Sequence, residues 1–182
     1  MKRFWILLFI LYFPLHSESA AKVKYLKNIT LEYTIQHSFK KVTGVCKNPN
    51  IEGLEIELRE SGYEVSKPFL ISCELKNLNS GNTNRDSHAL EVLNYPKEVS
   101  FQVQVLKTDR KNRNYTFDTK LVLNGITEHK EIQATLRKAD NGSSVLDGDF
   151  SIFLSKFKIE RPALLFISIQ DEVSIRFQVI LE

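Results

Sequence analysis

The chain has 182 residues, with 25 basic against 22 acidic side chains and a formal net charge of +3. Its 42 % hydrophobic and 26 % charged content is that of one ordinary globular domain with a full core. No basic run interleaves with aromatics, which argues against nucleic acid as a partner.

The first 21 residues read as a secretory signal. Met1-Lys2-Arg3 is a short cationic start, Phe4 to Leu15 is almost wholly apolar, and Ser19-Ala20-Ala21 offers small residues at a cut before Lys22. The apolar run is shorter than the ~20 residues a spanning helix needs, so an integral membrane protein is not expected. Residues 22–182 then form a single exported domain, periplasmic or secreted. Export puts Cys46 and Cys73 in an oxidising compartment, where they either pair or stay buried as small apolar side chains. The sequence leaves both outcomes open.

From Asn28 onward the hydrophobic period is two. Leu31, Tyr33, Ile35, His37 and Phe39 share one face of a first strand. Val42 to Cys46 reads as a second strand, with Gly44 at a candidate bulge. Leu54, Ile56 and Leu58 mark the next strand, and Ser61-Gly62 a turn. Phe69, Ile71, Cys73 and Leu75 form another apolar row.

The stretch from Asn79 to Phe101 breaks this pattern. It has a polar, glycine-containing start, then Arg85-Asp86-Ser87-His88, then a short helical segment from Asn84 to Leu93, then Tyr95-Pro96. Strands resume at Phe101, Val103 and Val105, with Asp109 to Asn114 read as a charged turn. Tyr115 to Leu123 alternates and ends in Asn124-Gly125, a two-residue hairpin signal in which both positions take positive φ. Ile132, Ala134 and Leu136 form one further row, and Leu146, Gly148, Phe150, Ile152 and Leu154 another. Asp140-Asn141-Gly142-Ser143 is the turn between them, and Phe157 to Gln170 is an irregular region with a second candidate helix. Val173 to Leu181 is the last strand. This list predicts an all-β fold, an antiparallel up-and-down barrel of about eight strands with one or two short helices. The first and last strands are long enough to pair.

Catalytic motifs are lacking. There is no nucleophile elbow, phosphate loop, dinucleotide fingerprint or cysteine-pair zinc motif. His37, His88 and His129 lie far apart in sequence, so no metal site or other cofactor is expected. Arg85, Asp86 and His88 are the one group from which an enzyme could be argued; the simpler reading is that they pin a helical turn.

That stretch also carries a resemblance. Leu78-Asn79-Ser80-Gly81-Asn82-Thr83-Asn84-Arg85-Asp86-Ser87-His88-Ala89-Leu90, followed by Leu93, Tyr95-Pro96 and Phe101, is similar to the signature segment of the YceI-like family. The similarity continues at Leu121 to Thr127, Gly148 to Ile152, Phe157-Lys158-Ile159, Arg161-Pro162 and Asp171 to Ile175. Departures are Ser80 for the usual Thr, Asn124 for the common His, and Cys46 for the usual Phe.

The resemblance implies a lipocalin-like barrel of exported bacterial proteins. Its apolar interior would hold an isoprenoid or other long-chain lipid without catalysis. On that reading Tyr33, Phe69, Phe101, Val103, Phe117, Phe150, Ile152 and Phe177 line the ligand cavity. Gly81, Asn82, Arg85, Asp86, His88, Leu90, Tyr95 and Pro96 form a lid or structural motif at one end. The alternative kept beside it is an exported barrel or sandwich with a solid core, acting as an interaction module through its surface loops.

Overall fold

A computed structural model describes residues 22–24, 26–59, 62–65, 67–139, 142–164 and 167–182. The secretory-signal pattern of residues 1–21, Ser61 of one expected turn, and Asp140 and Asn141 of another lie outside the described residues.

In chain order the strands are β1 (Lys22–Lys24), β2 (Leu26–Gln36), β3 (Lys41–Cys46), β4 (Asn50–Glu52), β5 (Ile56–Arg59), β6 (Gly62–Val65), β7 (Phe69–Glu74) and β8 (Leu78–Asn79). Helix α1 (Thr83–Val92) follows. Then come β9 (Ser100–Lys111), β10 (Asn114–Leu123), β11 (Ile126–Lys138), β12 (Ser144–Phe153), β13 (Ala163–Leu164), β14 (Ile167–Ser168) and β15 (Glu172–Leu181). One ten-stranded antiparallel sheet, in the order β4-β7-β9-β10-β11-β12-β15-β2-β3-β8, curls into the barrel. Eight of these are the expected barrel strands, and β4 and β8 are short edge pieces.

The alternating pattern dictates the wall. On β15 Val173, Ile175, Phe177, Val179 and Leu181 are all buried. β15 pairs with β2 in register from Val173↔Ile35 to Val179↔Ile29, so the last strand lies beside the first long one. This pairing falls inside the sheet order, so the barrel seam lies elsewhere, between β3 and β7. The chain crosses that seam by leaving β7 through a 3-10 turn, Leu75–Asn77, into β8, which pairs with β3 at Cys46↔Leu78. Cys46 and Cys73 are joined in a disulfide at the same corner, with Cα atoms 6.1 Å apart.

The opposite end of the barrel is plugged. The small sheet β1-β5-β6 folds over it. Ile56 is buried there, the Tyr115 hydroxyl donates to the Tyr63 carbonyl at 2.7 Å, and the Ser144 and Tyr63 hydroxyls meet at 2.8 Å.

Three local expectations are corrected. Gly44 is no bulge: β2 and β3 pair without a register shift, and the Tyr33 ring lies flat on Gly44, its directly opposite partner. The shift falls instead between β9 and β10, where Lys107 and Val105 oppose Asp118 and Thr119 and leave Leu106 over. Asp109 to Lys111 belong to β9, and the turn shrinks to Asn112-Arg113, with Asn112 at φ 60°. Among the described residues from Phe157 to Gln170 stands the small β13–β14 hairpin in place of the expected helix. The Asn124-Gly125 hairpin is as expected, with φ 51° and 67°.

Gly148 repeats the arrangement of Gly44, under Phe177. A Cβ there would meet the Phe177 ring at 2.2 Å and the Gln133 backbone carbonyl at 2.8 Å. A ring can tilt, whereas a laddered carbonyl cannot. Gly148→Ala is therefore expected to destabilise the fold by about 1–3 kcal/mol, read as a shift of the urea midpoint at unchanged slope. An unchanged midpoint would mean that this contact relaxes freely.

Candidate functional site: an apolar cavity under the helix

The barrel is not filled. A cavity of about 120 Å³ lies at the α1 end, lined by residues that include Leu31, Tyr33, Ile35, Leu78, Ala89, Leu93, Phe101, Ile152 and Val173. A smaller one of about 30 Å³ lies deeper, lined among others by Phe69, Val103, Phe117, Thr119, Phe150 and Phe177. Leu31, Phe101 and Ile175 belong to both walls, so these three form the neck between them.

All eight residues proposed as lining therefore sit on a cavity wall. Tyr33 and Ile152 are in the upper chamber, Phe101 is at the neck, and Phe69, Val103, Phe117, Phe150 and Phe177 are in the lower one. The cysteines Cys46 and Cys73 form part of the upper wall. Periodicity alone did not point to Ala89 and Leu93. Ala89 of α1 and Leu93, the residue that caps its end four positions on, roof the upper chamber.

The roof is held by the polar start of the stretch. Gly81 takes φ 78°, a left-handed conformation open to glycine. Asn82 is the N-cap of α1, its side-chain oxygen accepting from the Arg85 N–H at 3.0 Å. Asp86 accepts from the Ser80 N–H and hydroxyl, while Arg85 donates from Nε to the Ser80 hydroxyl and from Nη2 to its carbonyl. Arg85 and Asp86 thus clamp the chain entering the helix through Ser80. Leu90 and Tyr95 pack half-buried against the core, while Pro96, after a cis bond, is exposed. His88 is exposed, with its Nδ1 3.4 Å from the Glu91 carboxylate.

Apart from Glu32, the Tyr33 phenol is the titratable group on the upper wall. Burial pushes the Tyr33 phenol up, Asp86 adds to this, and Arg85 and the Ser80 hydroxyl pull against it. The phenol stays protonated at physiological pH. At the rim, Asp171 accepts from the Ser155 N–H and hydroxyl, which hold its carboxyl below the usual carboxylate range. This tie between the 3-10 turn Leu154–Phe157 and the start of β15 is present above that range and is lost only as pH falls through the lowered value. Among the described residues no group of three His, Cys, Asp or Glu could hold a metal ion.

A curled antiparallel barrel with a helix over one end and an apolar chamber beneath it defines a lipocalin-like binding fold. The chain belongs to the YceI-like domain family, which it matches over residues 14–181. No curated protein sequence matched. Solved structures agree in fold. One is BcnA of Burkholderia cenocepacia, 13 % identical with a TM-score of 0.67, over 84 % of this chain and 95 % of that one. Another is a polyisoprenoid-binding domain of Saccharophagus degradans implicated in plant cell wall breakdown, 12 % identical with a TM-score of 0.62, over 88 % and 97 %. A third is the YceI protein of Campylobacter jejuni, 16 % identical with a TM-score of 0.60, over 100 % and 99 %.

Proposed function

We propose that the protein is a non-catalytic carrier of an isoprenoid or other long-chain lipid, working in the periplasm or outside the cell. The observation that carries this reading is the apolar upper chamber, walled by aliphatic and aromatic side chains and continued past the neck by a second apolar space. A prenyl or acyl chain has no charge to recognise. Its affinity comes from buried area, at ~25 cal/mol per Å² less the cost of ordering it. At the ~30 Å³ share of one liquid water, the upper chamber of about 120 Å³ has room for roughly four water-sized groups. A long chain therefore fills it first and runs deeper only as Leu31, Phe101 and Ile175 part.

Three further points support the reading. Family membership fits a binding role, and the Saccharophagus relative is itself a polyisoprenoid-binding domain. Residues 1–21 have the secretory pattern, and the disulfide suits an oxidising compartment. Arg85 and Asp86 are both engaged by Ser80 and His88 faces solvent, which speaks against a catalytic centre built from these three.

The test is direct. Protein purified without detergent from an exporting host is expected to release a prenyl or acyl species, near one per chain, on solvent extraction and mass spectrometry. An empty extract, together with no binding of an apolar fluorescent probe, would remove the proposal.

A further inference from the structure

Phe39 shares sequence parity with the inward row of β2, yet it is 71 % exposed. The strand stops at Gln36, and His37 and Lys40 close a tight turn through two reciprocal backbone bonds of 2.9 and 3.2 Å, leaving Ser38 and Phe39 at the tip. The tip is preformed. His37 is buried, its Nδ1 accepts the Phe39 N–H at 3.3 Å, and the two rings lie 5.4 Å apart. The turn thus holds the ring out in water, where an apolar partner would bury it.

This tip belongs to the chamber end of the barrel. Ile35 and Val173, paired at the adjoining ends of β2 and β15, line the upper chamber, as do Ile152 and Leu154. Phe153, between those two, turns the other way and is 44 % exposed. Lys40 and Lys41 follow the tip, and Lys156, Lys158 and Arg161 follow Phe153, all exposed. The acids nearby are Glu160, Glu172 and Asp171, the last already engaged by Ser155. The rim is therefore aromatic and net basic, five cations to three anions.

We infer that this rim is a docking surface for an anionic lipid bilayer, with Phe39 inserting at the headgroup level and the lysines meeting lipid phosphates. Aromatic rings beside lysines are the side chains that suit such an interface, and an anionic surface attracts a basic rim within about a Debye length. Docking in this pose brings the roofed, chamber end of the barrel against the membrane. The inference gains its purpose from the carrier reading, but the docking itself does not depend on a bound ligand.

Co-sedimentation with phosphatidylglycerol–phosphatidylcholine vesicles, with pure phosphatidylcholine as the comparison, tests it. The wild-type protein is expected to sediment with the anionic vesicles and to be released by ~1 M salt. Phe39→Asp, and separately Lys40→Glu with Lys41→Glu, are expected to lower the partition by about tenfold or more. Phe39 at the tip, Lys40 after it and Lys41 at the start of β3 are all exposed, so the unfolding curves and extracted ligand content of both variants should match wild type. Equal partition of wild type and both variants overturns the proposal. So does binding to neutral vesicles as strong as to anionic ones, or a self-association of the wild type that Phe39→Asp abolishes, which would assign the rim to a second copy. A protein that carries no ligand yet still docks through Phe39 would remove the carrier reading and leave this one standing.

Discussion

Replacing both Cys46 and Cys73 by alanine is expected to cost the fold about 3–4 kcal/mol, the largest stability loss of any change considered for this protein. The two positions are 27 residues apart, and the chain-entropy account gives that magnitude for a loop of this length. Position adds to length here. Every other neighbouring pair of barrel strands is joined by a ladder, while the β3–β7 seam is crossed by the chain itself, by the two-residue β8, by one backbone bond from the Lys47 N–H to the Asn77 carbonyl at 2.8 Å, and by the disulfide. Because both cysteines line the upper chamber, the alanines also remove wall atoms and widen it. For a domain of this size the loss corresponds to a fall in melting temperature of roughly 10 °C. Reducing agent should reproduce most of it in the wild-type protein and none of it in the variant. A variant whose urea midpoint stays within about 0.5 kcal/mol of wild type would show that β8 and the plug close the seam unaided.

Strand existence and facing were legible because a half-buried strand needs period two, and no other pattern in this chain competes with it. The Val173 to Leu181 row and the Asn124-Gly125 turn needed only local rules. What failed was whatever depends on where pairing stops. Phe39 keeps the parity of β2, but parity carries no mark of the strand's end, and the His37–Lys40 turn puts the ring in water. Leu106 is the extra residue of a bulge, which changes inward parity along β9; only the partner strand reveals that.

The cavity was the least legible feature. Periodicity gives which side chains point inward, and the resemblance offered a lining. Neither says at which depth facing residues are too small to meet. Ala89 and Leu93 became its roof through the placement of α1, which rests on Asn82, Arg85 and Asp86 gripping the chain at Ser80. The opening stretch of polar residues thus acts as the anchor of a roof, and its one histidine, His88, lies on the far side from the chamber.

That roof allows the carrier reading to be tested without a charge in the core. Ala89→Trp points an indole into the upper chamber of about 120 Å³ from a helix that is nowhere fully buried, so α1 can shift outward to take the ring. Filling an apolar void with an apolar ring is neutral or mildly stabilising, so the melting temperature should hold or rise slightly. The ligand meets a blocked chamber. A tenfold loss of affinity needs only about 1.4 kcal/mol, the worth of roughly 60 Å² of apolar contact, whereas an indole buries about 150–250 Å². Loss of the co-purifying species by well over tenfold is therefore expected. His88→Trp, one residue earlier on the solvent side, places the same ring outside the chamber and should load as wild type. The pair separates occlusion from any general effect of tryptophan on the helix. If Ala89→Trp folds and still carries a full complement of lipid, the chamber under α1 is not where the lipid sits.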